Sequence, residues 1–445
     1  MKKVTNKVLW LFAIGQLGWS ILGGIVSNWF VYFYQPTEAA QAQGLQLFVT
    51  QHPIFLGLTI LGVIAAIGRI FDAITDPIIA NKSDSSSHKD GRRIPFMRFI
   101  AIPFGIVTVL LFIMPVDGIS MVNNVVLLVM NLLFYLCMTI YCTPYNALIP
   151  ELGNNQDNRI NLSTYISMTF IVGTAFAYLI PNIAGLFEAS LGYTNAFRMA
   201  VGVLAVVAVI CMLVPTFTIT EKDYCEAVPS HTSVTESLGK TFSNKEFRKF
   251  VASDVLYFLS LTMFQTGLPF YVTALMGLDA GSTFILFAIM TGLSLVFYAP
   301  INKFAKRFGK KRLVLFAFVW FSCVFLLTGF CGEGLIWGII IASLASVPMA
   351  ILGILPQAIV ADIAERSSIE TGENRNGMYF AARTFAFKFG QSAAMLIFTS
   401  LAAIGTGNTG YRLSAFIAAI LCFIGALILS RYKEKETLAI INSNH

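Results

Sequence analysis

Charge is what this sequence has least of. Only 12% of its 445 residues are Asp, Glu, Lys or Arg, and 56% are hydrophobic. Soluble domains carry roughly 25% charged residues, so a soluble fold of this size could not hide so much apolar surface. Histidine is scarce too. His52, His88, His231 and His445 all fall in expected loops or tails, which leaves no basis for a His-based metal centre. Cys137, Cys142, Cys211, Cys323 and Cys422 are scattered through apolar runs without metal-ligand spacing. They read as small packing residues and imply no disulfide framework. There is no GxxxxGK[ST] loop and no catalytic constellation of nucleophile, base and orienting group, so neither ATP-driven work nor catalysis is indicated. No cleavable signal peptide is expected, because the first apolar run is long enough to span and lacks a small-residue cleavage end. The net charge of +7 does not point to nucleic acid. The basic residues cluster in short loops between apolar runs, as the positive-inside rule requires of a multi-span protein.

What the chain does have is twelve apolar runs near or above the ~20 residues a bilayer requires. They cover 7–34, 53–81, 96–115, 121–150, 160–187 and 195–217, then 247–276, 282–304, 313–332, 335–363, 378–404 and 411–432. The expected architecture is an all-α membrane protein with twelve transmembrane helices in two six-helix bundles, residues 1–217 and 247–445. A polar stretch without apolar period, 218–246, reads as the linker. Lys and Arg gather at the N-terminus, in the 82–98 loop, at the linker exit, in the 303–312 loop and in the C-terminal tail. Both termini and the linker are therefore expected in the cytoplasm. The halves echo each other: Gly91-Arg92-Arg93 follows span two and Gly309-Lys310-Lys311 follows span eight, while Gly192-Tyr193 and Gly410-Tyr411 precede spans six and twelve. Paired halves are the pattern of parallel-repeat transporters, with the substrate site between them.

The few charges inside the apolar runs then carry the most information, since a charge at bilayer depth costs at least ~2.5–3.5 kcal/mol. Arg69, Asp72 and Asp76 lie in span two. Spacings of three and four residues put them on one helix stripe. Their formal sum is −1, which leaves room for one monovalent cation or proton; the plain alternative is a structural ion pair. Thr75 and, on span four, Thr139 add neutral oxygens, which hard cations prefer. Pro77 removes a backbone donor and frees a carbonyl nearby. In span eleven, Lys388 can compete for the acidic pair when the cation is absent, or pair with a carboxylate elsewhere, such as Asp254; Arg383 is its neighbour. Gln16, Trp19, Ser20 and Asn28 on span one, and Tyr141, Cys142, Thr143, Tyr145 and Asn146 on span four, are the candidate sugar contacts, against lipid-interface and helix-packing alternatives. Asp362, Glu365, Glu370 and Arg375, after span ten, can pair with Arg92 and Arg93 as a cytoplasmic gate, or simply be solvated.

At these residues the sequence resembles the glycoside–pentoside–hexuronide:cation symporters, the melibiose-permease-like branch of the major facilitator superfamily. The resemblance rests on Arg69-x-x-Asp72-Ala73-Ile74-x-Asp76-Pro77 with the GRRIPF loop after it, and on ADIAERSSIETGENRNG followed by Lys388. It implies that Asp72 and Asp76 hold the coupling cation (Na⁺, H⁺ or Li⁺), helped by Thr75 and Thr139, with alternating access of two bundles. Positions that carry sugar-binding carboxylates and an arginine in melibiose carriers hold Ser20, Cys142 and Ser167 here. A galactoside is thus not specifically implied; another glycoside, a pentoside, a uronide, a sulfo-sugar or a lysolipid fits as well. The sequence-based expectation is a symporter without cofactor, working as a monomer among membrane lipids in a bacterial inner membrane. A transport-like sensor or a membrane enzyme is the alternative from another class.

Overall fold

The computed structural model describes residues 4–443 except 56, 87, 89, 154, 225–233, 373–375 and 405–406. The chain divides into two compact units, residues 1–231 with 279–284, and 232–278 with 285–445. In the first, the helices are α1 (Asn6–Tyr34), the short α2 (Glu38–Ala42), α3 (Ile60–Asp84), α4 (Ile94–Leu110), α5 (Met121–Leu152), α6 (Gln156–Tyr178), α7 (Ile180–Leu191), α8 (Tyr193–Thr218) and α9 (Glu221–Tyr224). The second holds α10 (Val234–Ser243), α11 (Lys245–Phe270) ending in a π-helical turn (Tyr271–Leu275), α12 (Ser282–Phe308) from residue 285 on, α13 (Lys310–Phe330), α14 (Leu335–Thr371), α15 (Asn376–Ala402), α16 (Thr409–Leu429) and α17 (Glu434–Asn442).

Nine segments among the described residues are long and apolar enough to cross a bilayer, and α4 and Ser282–Tyr298 of α12 are shorter apolar helices. The remaining span, α3, misses a purely apolar criterion because it carries Arg69, Asp72 and Asp76. With α6 and α7 counted as one interrupted span, the architecture is twelve spans, six in each bundle. The α6–α7 break falls just before Pro181, which supplies no N–H to the preceding turn.

Several ends differ from the hydropathy boundaries for local reasons. Pro53–Phe55 pairs antiparallel with Leu58–Thr59, and the Thr59 side chain then accepts the Gly62 N–H to cap α3. The polar linker is not without structure: α9, α10 and the start of α11 lie in it. Asn244 caps α11 by accepting the Glu246 and Phe247 N–H groups at 3.0 and 3.1 Å.

The echo between halves becomes physical at two helix starts. Gly91 has φ +118° and Gly309 has φ +90°, a region where a side chain would be strained. A Cβ on Gly91 would also lie 2.4 Å from the Glu221 carboxylate, and one on Gly309 2.9 Å from that of Glu434. Glu221 accepts the Arg93 and Ile94 N–H groups at 2.8 and 3.1 Å; Glu434 accepts the Lys311 N–H at 3.0 Å. In each bundle, then, an acid just beyond the sixth span caps the N-terminus of the third, where unpaired N–H groups and the helix dipole favour negative charge.

Candidate functional site

The site grows from the contact between α3 and α5. Asn131, Tyr135, Thr139 and Thr143 recur every four residues on α5, and meet residues with the same spacing on α3. Asn131 donates to the Ile64 carbonyl at 2.8 Å. Tyr135 packs over Gly68, whose missing side chain is what lets the helices approach: a Cβ there would fall 2.2 Å from Asn131 Nδ2 and 2.7 Å from the Tyr135 ring. Thr139 donates to Asp72 Oδ1 at 2.8 Å. Thr143 donates to Asp76 Oδ1 at 3.3 Å. Residues four apart share a helix face, so one polar stripe on each helix produces a four-rung ladder.

Asp72 is 2% exposed and Asp76 is half-buried. Thr75 Oγ1 lies 3.2 Å from Thr139 Oγ1 and donates to the Phe71 carbonyl at 3.0 Å. Each hydroxyl has a single proton: Thr139 spends its own on Asp72 and Thr75 spends its own on its helix's backbone, so the two oxygens approach closely with lone pairs left for a cation. Arg69 donates to Ser27 of α1 at 3.2 Å, with its guanidinium 5.2 Å from the centre of the Tyr135 ring. The structure therefore gathers Arg69, Asp72, Thr75, Asp76 and Thr139 into one buried cluster, and adds Ser27, Tyr135 and Thr143. Among the described residues there is no group of three His, Cys, Asp or Glu that could hold a metal ion. The donor set here is two carboxylates and threonine hydroxyls, all hard oxygens. That chemistry suits a proton or a monovalent alkali cation rather than a soft transition metal.

The other predicted residues are spread more widely. Gln16 donates to Ser20 at 3.0 Å and Ser20 donates to the Gln16 carbonyl at 2.6 Å, so both are engaged within α1. Trp19 faces Phe170 across α1 and α6 with ring centres 6.3 Å apart. Tyr141 and Tyr145 are fully buried and donate to the Met212 and Phe12 carbonyls at 2.8 and 3.0 Å; Tyr145 also stacks on Phe12. Both hydroxyls are thus tied to backbone inside the first bundle. Cys142 is buried, whereas Asn146 and Ser167 are exposed; Ser167 donates to Ser163 one turn back.

Of the expected gate residues, Arg92, Arg93 and Asp362 have partners inside their own bundles. Arg93 donates to Asp84 at 2.8 and 3.0 Å, to the Ala147 carbonyl at 3.0 Å and to Glu151. Burial lowers the proton affinity of its guanidinium, but the Glu151 and Asp84 carboxylates outweigh that and raise it overall. Arg92 lies 3.6 Å from Glu151. Asp362 accepts Lys310 at 2.7 Å on both oxygens. Glu365 and Lys388 are half-buried on α14 and α15, Arg366 bridges to Glu370 at 2.7 Å, and Arg375 lies outside the described residues. Asp254 is paired with Arg383 rather than Lys388. It is 2% exposed and receives two hydrogen bonds from Arg383, at 2.7 and 3.1 Å, making a buried bidentate pair between α11 and α15.

Twelve spans in two bundles, with a carboxylate pair held by hydroxyls inside the second span, are the architecture of a membrane transporter of the major facilitator fold. The chain belongs to the MFS/sugar transport protein family, which matches residues 11–433. It is 25% identical over 407 residues to the sodium-dependent lysophosphatidylcholine symporter 1 of Xenopus tropicalis, covering 82% of this chain and 76% of that one. It is 28% identical over 225 residues to the inner membrane symporter YicJ of Escherichia coli (49% and 46% covered), and 24% identical over 433 residues to a lactose permease of Lactobacillus delbrueckii (92% and 64%). The fold is shared with the nucleoside transporter NupG (TM-score 0.65, 14% identity, 96% and 100% covered) and with a D-xylose-proton symporter (0.68, 14%, 97% and 98%). These relatives are transporters, and the chain is a transporter rather than an enzyme.

Proposed function

We propose that this protein couples the inward movement of a sugar or glycoside to that of Na⁺ or H⁺ (Li⁺ substituting) by alternating access. The observation that carries the reading is the α3–α5 ladder, which holds Asp72 and Asp76 among the Thr75, Thr139 and Thr143 hydroxyls. A cation bound there relieves the repulsion of two neighbouring carboxylates. Its occupancy shifts the conformational equilibrium only by its differential affinity for the two states. When the cation leaves, Lys388 supplies the compensating charge. Gln16, Trp19, Ser20, Tyr141, Cys142, Tyr145, Asn146 and Ser167 remain the residues proposed to meet substrate. Arg92, Arg93, Asp362, Glu365 and Arg375 serve as the inner gate by exchanging ion-pair partners. The protein works as a monomer in a bacterial inner membrane, with both termini in the cytoplasm.

A second reading, a lysolipid cargo, is favoured by the similarity to lysophosphatidylcholine symporters. Counterflow in proteoliposomes against a panel of glycosides, pentosides, uronides and lysolipids, with and without Na⁺ and across pH, tests both. Cation-stimulated exchange of a sugar supports the first reading, and exchange of lysolipids alone replaces it with the second. No cation-stimulated exchange with any of them contradicts both.

A further inference from the structure

The second unit carries an apolar crevice lined by α12, α13 and α14. Its basic end, about 500 Å³, runs between Phe304 and Phe308 of α12 and Phe316 of α13, over Val347 and Ile351 of α14, and is bordered by Arg312. Phe316 joins it to a second hollow of about 420 Å³ beside Trp320 and Leu344. Trp320 donates to the Leu344 carbonyl at 2.8 Å, which fixes the ring against α14. Trp320 lies eight residues beyond Arg312, about 12 Å along the helix axis, within the ~15 Å depth of one leaflet's hydrocarbon.

The charges at the open end are unevenly engaged. Lys310 is committed to Asp362, and Lys311 to the Ser430 and Tyr432 carbonyls. Lys303, Lys306, Arg307 and Arg312 are exposed, and among the described residues none of them forms an ion pair with a carboxylate. The Arg307 guanidinium sits 5.3 Å from the centre of the Phe308 ring, so the cationic cluster and the apolar wall are continuous. Neutral lipid would fill the crevice but leave four cations without counter-charge. Basic residues beside a pocket between spans match anionic lipid headgroups.

We propose that this crevice is a binding site for an anionic bilayer phospholipid of the phosphatidylglycerol type. One acyl chain lies between α12 and α13 against Trp320, and the phosphate is held by Arg312 and Arg307.

The test uses full-length protein in phosphatidylcholine vesicles into which brominated-chain phosphatidylglycerol or brominated-chain phosphatidylcholine is titrated. Quenching at the site is the difference between wild-type fluorescence and that of Trp320→Phe. Half-quenching is expected at a several-fold lower mole fraction of the anionic lipid, with the preference shrinking as salt is raised. The pair Arg307→Gln and Arg312→Gln should remove most of this preference, while circular dichroism and thermal melting stay unchanged. Equal quenching by both lipids in the wild type, or a preference that survives both the double substitution and high salt, overturns the proposal. A dimer that shields Trp320 from both lipids would overturn it as well, assigning the face to a second copy.

Discussion

Replacing Thr139 by Val removes one hydroxyl and almost no volume, so it isolates the hydrogen bond at the centre of the ladder. In the wild type that hydroxyl donates to Asp72 Oδ1 at 2.8 Å in a buried setting. A hydrogen bond to a charged group is worth ~1.5–3 kcal/mol. Thr75 loses its 3.2 Å contact with Thr139 but keeps the Phe71 carbonyl as acceptor, so little further cost arises there. If the hydroxyl orders Asp72 for the cation and offers its own lone pair, the loss falls on the bound state. The cation concentration for half-maximal substrate counterflow should then rise roughly 10- to 150-fold. Thr139→Ser should recover most of it, since the donor returns. The assay is counterflow in proteoliposomes at graded Na⁺ and graded pH, with melting temperature recorded in parallel. A half-saturating cation concentration for Thr139→Val within twofold of wild type, in a protein of unchanged stability, would refute the role given to this rung.

Other expectations follow from particular contacts. Thr143→Val should weaken cation dependence less than Thr139→Val, because its bond to the half-buried Asp76 is longer, at 3.3 Å; the same titration checks this. Gly68→Leu should lower the melting temperature and cation affinity together, since overpacking costs ~1–3 kcal/mol and the new side chain must part α3 from α5. Arg383→Met should destabilise by ~3–5 kcal/mol by leaving Asp254 buried without its cation, and adding Asp254→Leu should restore much of the loss, read by melting of the single and double variants. Glu221→Ala and Glu434→Ala should each cost ~0.5–2 kcal/mol through lost helix capping, with similar values in the two halves, read by chemical denaturation in detergent.

The spans and the engine of the site were legible because both are local. Apolar runs of bilayer length are read directly, and Arg69, Asp72 and Asp76 stand out against an apolar background at helical spacing. Tyr135 and Asn131 were missed as site residues, and Thr143 was read as a sugar contact rather than a partner of Asp76, although the series 131, 135, 139, 143 was visible as polar positions four apart within an apolar run. The missing step was to set that series against Gly68, Asp72 and Asp76 on another helix. Ser27 carried no local signal, because its contact with Arg69 joins α1 to α3. Glu221 read as an ordinary linker charge, since the N–H groups it caps lie 128 and 127 residues away. Asp254 was assigned the wrong partner for a similar reason: Lys388 and Arg383 sit on the same helix, and only packing decides which of them reaches α11. Tyr141 and Tyr145 read as a sugar platform from their chemistry; that their hydroxyls donate to the Met212 and Phe12 carbonyls is a matter of packing.

The central claim is that Asp72 and Asp76 hold the coupling cation. Its most direct test is cation-driven accumulation of the cargo by Asp72→Asn and by Asp76→Asn in proteoliposomes, with an imposed Na⁺ or H⁺ gradient. Both variants should reach the membrane at normal levels and lose gradient-driven uptake. Accumulation that still responds to the cation in either variant would contradict the account.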